Sequence, residues 1–176
     1  MSNDFNKYII IIKAICEKTE VGKKMLQKLL YLIERKGVGL DLNYSIHFFG
    51  PYSAKLDKLI HLFESEDIIE IDTNGTTHKI NISKNIPEEY EESIKEYKLL
   101  ASDEEKVNFV FQNFIKKSAF ELEAITTLDY VATFMLNNAQ SDSQIIEEVK
   151  KIKGSKFKED YLEKQLTILK KCGYVA

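Results

Sequence analysis

Apolar residues recur at helical spacing along most of this chain and alternate over one short stretch. In FNKYIIIIKAICE (5–17), Tyr8, Ile11, Ile12 and Ile15 share one face, which predicts a helix. In TEVGKKMLQKLLYLIERKGVG, Leu26, Leu29, Leu30 and Ile33 form a second apolar stripe. Lys23, Lys24, Lys28 and Glu34 lie largely off that stripe, and Gly37 is a natural C-terminal stop. LNYSIHFF, short and aromatic, reads as a strand or as an extended connection. Gly50-Pro51 then reads as punctuation that starts a helix, since proline costs no hydrogen bond in a first turn. Leu56, Leu59, Ile60 and Phe63 follow at the spacing of a helix lying on a core.

The alternating stretch is DIIEIDTNGTTHKINIS, where Asn74-Gly75 predicts a two-residue type I′ hairpin turn. Counting outward pairs Ile71 with His78, Glu70 with Lys79 and Ile69 with Ile80, with Ile69, Ile71, Ile80 and Ile82 on one face. Beyond it, Pro87 and PEEYEESIKEY open an acidic helix with carboxylates in its first turn. Ser102 with Glu105, and Ser118 with Glu121, have the spacing of capping boxes. SDSQIIEEVKKIKG and FKEDYLEKQLTILKKCG, the latter ending at Gly173, complete a run of helices.

The expected fold is mostly α. A winged-helix-like N-terminal part, three helices plus a β-hairpin wing over residues 1–84, packs on a C-terminal helical bundle over 85–176 as one compact unit. Composition agrees: 176 residues, 44% hydrophobic and 30% charged, with only two prolines and no tryptophan. No apolar run reaches the roughly 20 residues that span a bilayer, because Lys13 interrupts YIIIIKAI. MSNDFNK lacks the pattern of a secretory signal, and Cys16 and Cys172 read as two reduced thiols, so a cytoplasmic protein with no membrane partner is expected.

Net charge is −3, unevenly spread: residues 1–60 carry ten Lys/Arg against six Asp/Glu, and residues 61–101 carry four against ten. The front of the chain therefore permits an anionic partner without requiring one. His47, His61 and His78 have no second ligand at metal spacing, and no H-E-x-x-H, Walker loop, G-x-S-x-G or G-x-G-x-x-G occurs. GVGL (37–40) reads as a helix stop, and the paired glutamates at 88–92 as a solvated face. No catalytic, cofactor-binding or metal-ligating residue is assigned, and the protein is expected not to be an enzyme.

Two binding readings remain. A winged helix reading DNA would use Ser53, Lys55, Lys58 and His61 on its third helix. Asp57 and Glu64 on that helix oppose phosphate, and Arg35 is the only arginine in the chain, so specific guanine contacts are short of their usual residue. Weak binding, or binding as a homodimer, stays compatible with this. The other reading is a protein-binding module. Tyr31, Phe48, Phe49 and Tyr52 gather near the turn and serve either as core or as an interface; Tyr31, Phe48, Tyr52, Lys55 and Lys58 are the expected contact residues.

KLLYLIERKG (28–37), YSIHFFGPYSAKLDKLIHLFESEDIIEI (44–71) and LEAITTLDYV (122–131) resemble the Panacea (SocA-antitoxin-like) domain and its YwgA-type relatives of bacteria and archaea. The resemblance puts Lys28, Leu29, Tyr31, Gly50, Pro51, Tyr52 and Leu56 at signature positions, with Phe49 where a tyrosine often precedes Gly-Pro. It implies an antitoxin module or adaptor whose partner is a protein, such as a toxin or a protease substrate. A regulator of this kind, acting through protein binding, is the expected function; a winged-helix transcriptional regulator is the alternative.

Overall fold

A computed structural model describes residues 3–75, 78–138 and 140–176. It is mostly helical, with eight α-helices, one π-helical segment and two small sheets among the described residues. No helix among them is long and apolar enough to cross a membrane. The chain divides into two compact units.

The first unit comprises Met1–Asn43 and Ser53–Lys116. It contains α1 (Asn3–Lys18), β1 (Val21–Gly22), α2 (Lys23–Arg35), α3 (Ala54–Ser65), β4 (Ile69–Asp72), β5 (Lys79–Ile82), α4 (Glu88–Glu96) and α5 (Ala101–Phe114). The stripes on α1 and α3 are buried as their periodicity predicts: Ile11, Ile12, Ile15, Leu56, Ile60 and Phe63 are all closed to solvent. In α2 every residue from Leu26 to Ile33 is buried, Gln27 and Lys28 included, so this helix runs through the interior rather than along it. Gly37, at φ 100°, ends α2 as expected of a left-handed C-terminal residue.

The sheet corrects the sequence reading in two places. β1 had no helical or alternating signature, yet it pairs with β5 in a sheet ordered β1-β5-β4. Gly22 permits this approach, because a Cβ there would lie 2.8 Å from the His78 carbonyl oxygen. The hairpin register is shifted by two residues from that expected: Ile71 faces Ile80, Ile69 faces Ile82 and Asp72 faces Lys79. The ladder thus closes before a two-residue Asn74-Gly75 turn could form; Thr76 and Thr77 lie outside the described residues. A shift of two preserves side-chain parity, so the four isoleucines still share a face. It releases Lys79 from Glu70 to bond Glu20 at 2.8 Å, while Glu70 accepts from Ser83.

The second unit comprises Tyr44–Tyr52 and Lys117–Ala176. It contains an antiparallel hairpin of β2 (Ser45–His47) and β3 (Gly50–Tyr52), then α6 (Ala119–Tyr130), a π-helical turn (Val131–Met135), α7 (Asp142–Lys153) and α8 (Glu159–Lys171). α6 is the axis of this unit, packed by β3, α7 and α8 and buried without a break from Leu122 to Asp129.

Capping follows the sequence at one of the two expected boxes. Ser118 accepts from the Glu121 backbone N–H and Glu121 from that of Ser118, both at 3.1 Å. α5 instead begins at Ala101, with Leu100 at its N-cap and no side-chain cap. Its first turn presents buried Asp103 to Lys7 at 3.3 Å, and that carboxylate meets the positive end of the helix dipole in place of a Ser102 box. Ser141 and Gln144 form a further box on α7. Replacing Ser118 by alanine is expected to lower stability by about 1 kcal/mol, read as a reduced urea midpoint with an unchanged slope.

Candidate functional site

The segment YSIHFFGPYS carries two structures in succession. Strand pairs Ser45–Tyr52, Ile46–Pro51 and His47–Gly50 leave Phe48 and Phe49 at the turn. Gly50 closes the turn at φ 94°, a left-handed conformation that side chains resist. Gly50-Pro51 therefore does not begin a helix, as the sequence suggested. Pro51 sits in a strand of a two-stranded hairpin, where its missing N–H is tolerated.

The helix begins two residues later, and Ser53 is its cap. The Ser53 side chain accepts from the Leu56 N–H at 3.0 Å and donates to the Leu42 carbonyl. The Gln27 amide clasps the Ser53 backbone from both sides: the Ser53 N–H donates to Oε1 at 2.8 Å, and Nε2 donates to the Ser53 carbonyl at 2.9 Å. All of these groups are buried; the Ser53 carbonyl also accepts from the Asp57 N–H at 3.2 Å, while the Ser53 N–H takes its partner from α2. Glu34 on α2 accepts from Leu42 N–H at 3.0 Å and fixes the preceding loop; burial pushes its carboxyl above the ordinary range.

Within the second unit the turn is anchored through charge. Lys153 donates to the Phe48 carbonyl and lies 2.8 Å from Glu123 Oε1. Lys156 bonds both Glu123 oxygens, at 2.9 and 2.8 Å. Burial alone would raise the Glu123 carboxyl, but the two lysines outweigh it and hold the group below its ordinary value. Burial likewise draws Lys153 below the ordinary lysine value against the pull of Glu123. Above this support the Phe48 and Phe49 rings meet edge to face at 5.1 Å, and Phe48 is 81% exposed.

The expected contact residues separate accordingly. Tyr31 is 1% exposed and Ser53 wholly buried, so Tyr31 is core and Ser53 a cap, and neither lies on a surface for a partner or a base edge. Tyr52 is half-buried against the His47 ring, at 4.8 Å. Lys55, Lys58 and His61 are exposed on α3. Lys55 is engaged by Asp41, to whose carbonyl it donates at 2.8 Å, and His61 lies 3.6 Å from Asp57. Phe49 stood in the expected aromatic cluster though not among the contact residues, and Glu123, Lys153 and Lys156 were not foreseen.

A family model for SocA-like antitoxins, the Panacea domain, matches residues 26–129. The chain belongs to the Panacea family. A comparison with curated proteins finds no match. The Panacea match runs from α2 through α6, so it takes in the Gln27–Ser53 clasp, the aromatic turn and Glu123, while Lys153 and Lys156 lie beyond it. Most Panacea signature positions prove to be interior: Lys28, Leu29, Tyr31, Gly50, Pro51 and Leu56 are buried. They hold the scaffold, and the exposed phenylalanines stand between them in sequence.

Among the described residues no cluster of His, Cys, Asp and Glu is arranged to hold a metal ion. A surface groove of about 490 Å³ in the first unit is lined by Lys13, Cys16, Glu17, Glu70, Asn81, Ile82 and Lys84. Burial pushes the Cys16 thiol up to about 11, so it is protonated at neutral pH and a poor nucleophile.

Proposed function

We propose that this Panacea protein is a non-enzymatic regulator that acts by binding another protein, as an antitoxin-like partner or adaptor. The observation that carries the reading is the Phe48–Phe49 turn, displayed to solvent inside the matched region and braced by the enclosed Lys153–Glu123 ion pair. Exposed apolar side chains on a rigid support suit an interface, because little conformational freedom remains to be lost on association.

A winged-helix regulator of transcription is the second reading. The succession α1, β1, α2, α3, β4, β5 and the sheet order β1-β5-β4 support that description of the first unit. Its electrostatics favour the protein-binding reading instead: Asp41 engages Lys55, Asp57 accompanies His61, and α3 bears no arginine.

A salt series separates the two. A partner held through Phe48 should stay bound to the intact chain from 50 mM to 1 M NaCl and be lost from F48D, an exposed position that the fold does not need. Binding to a duplex that falls by about a thousandfold or more between 50 and 200 mM salt, unchanged in F48D, would instead favour DNA and sink the proposal.

A further inference from the structure

We propose that the docking surface extends beyond the turn as an aromatic strip, from Phe48 and Phe49 across Lys156 to Phe120, and that its occupant is a partner segment carrying apolar side chains beside carboxylates. The inference rests on the protein-binding reading and names the partner's chemistry.

The strip is continuous within the second unit. Lys156 lies over the Phe49 ring at 5.6 Å and over the Phe157 ring at 5.8 Å. Phe157 in turn meets Phe120 at 4.9 Å, and Phe120 meets Tyr161 at 5.6 Å. Phe157 is core, at 3% exposure, whereas Phe49 and Phe120 are 43% and 47% exposed. Phe120 thus rests on a buried ring, and Phe49 is held beside it by the Lys156 side chain that lies over both Phe49 and Phe157. Aromatic anchors on a packed base are the residues on which interface energy concentrates.

Charge selects the occupant. Lys153 and Lys156 face one carboxylate, Glu123, which leaves one positive charge in excess beneath the rings. At the far end Lys117 and Glu121 lie 3.7 Å apart and offset each other. The excess is presented by Lys156, whose side chain is 34% exposed, rather than by Lys153 at 3%. An ammonium has three donors, and Lys156 spends two on the Glu123 oxygens, leaving one for an incoming acceptor. A carboxylate meeting that donor, with apolar side chains over Phe49 and Phe120 on either side, satisfies both features of the strip. A basic segment would set like charges against each other.

Fluorescence anisotropy on the intact chain tests this with three short labelled peptides. One carries Phe and Leu at helical spacing separated by Glu; the second has Lys for each Glu, and the third has Ser for each apolar residue. The acidic apolar peptide should bind about tenfold more tightly than either counterpart. F120A should weaken it by about tenfold, and K156Q should abolish the preference for acidic over basic, with circular dichroism confirming that both variants fold. Equal binding of the acidic and basic peptides, no binding of the acidic one, or a wild-type response from F120A would overturn the proposal. If a cellular partner is lost from F48D yet binds F120A and K156Q as it binds wild type, the strip fails while the protein-binding reading stands.

Discussion

Replacing Gln27 by leucine is expected to destabilise the first unit by about 2 kcal/mol, since the buried Ser53 N–H loses its partner and the Ser53 carbonyl loses one of two. The Ser53 N–H is satisfied by the amide alone, whereas the Ser53 carbonyl also accepts the first helical bond, from the Asp57 N–H at 3.2 Å. Leucine fills a similar volume, so the loss reports the lost hydrogen bonds rather than a cavity. The urea midpoint should fall with little change in slope, and hydrogen exchange should quicken first around residues 53–56, where Ser53 caps α3. Gln27→Glu supplies a sharper control. An ionised glutamate accepts from the Ser53 N–H but sets a buried negative charge against the Ser53 carbonyl, so at neutral pH it should be no better than leucine. Its folded pKa would be raised by burial and by that facing carbonyl, so its contribution is present at low pH and lost as pH rises through the folded value. Protonated, it regains a donor. Relative to wild type at the same pH, Q27E should therefore overtake Q27L as pH falls below about 5, an ordering that loss of packing alone would not produce.

The clasp illustrates which parts of this molecule were legible along the chain. α1 and α3 were foreseeable because their apolar residues recur locally, and Ser118 with Glu121 announces the start of α6 within four residues. Where a local rule competed with a distant partner, it lost. Ser102 and Glu105 have box spacing, but Asp103 reaches Lys7 on α1 and the N-cap lies two residues earlier, at Leu100. Asn74-Gly75 favours a tight turn, yet pairing of β5 with β1 and of Lys79 with Glu20 accompanies a wider loop. Gly50-Pro51 suits either a helix start or a strand, and the choice lies in β2, whose three residues carry too little alternation to declare it. The aromatic turn was visible as composition; its display to solvent was not, because exposure depends on what packs beneath. What packs beneath is a cluster drawn from α6, the end of α7 and the loop after it, and no spacing rule joins Glu123 to Lys153 and Lys156.

That cluster carries the other large effect. Glu123→Gln should cost about 3–5 kcal/mol at neutral pH, because it leaves the enclosed Lys153 ammonium without its counter-charge. The folded Glu123 carboxyl is held below its ordinary value, so its stabilisation is present above the unfolded-state pKa and lost as pH falls through the folded one. The gap between wild type and E123Q should accordingly be widest near neutrality and narrow below about pH 4, as the wild-type carboxyl itself becomes neutral. A gap independent of pH would show that size or hydrogen bonding, not charge, explains the loss. Exchanging both partners for apolar residues, E123M with K153M, should recover much of the stability, since a buried pair often does no better than a well-packed apolar one. The double variant should not recover the turn. Lys153 also donates to the Phe48 carbonyl, so hydrogen exchange at 47–50 should stay fast in E123M/K153M while global stability returns. Partner binding should follow the turn and not the stability. The charge pair would then be retained for holding two phenylalanines at one angle to solvent, a role that an apolar core of equal strength cannot fill.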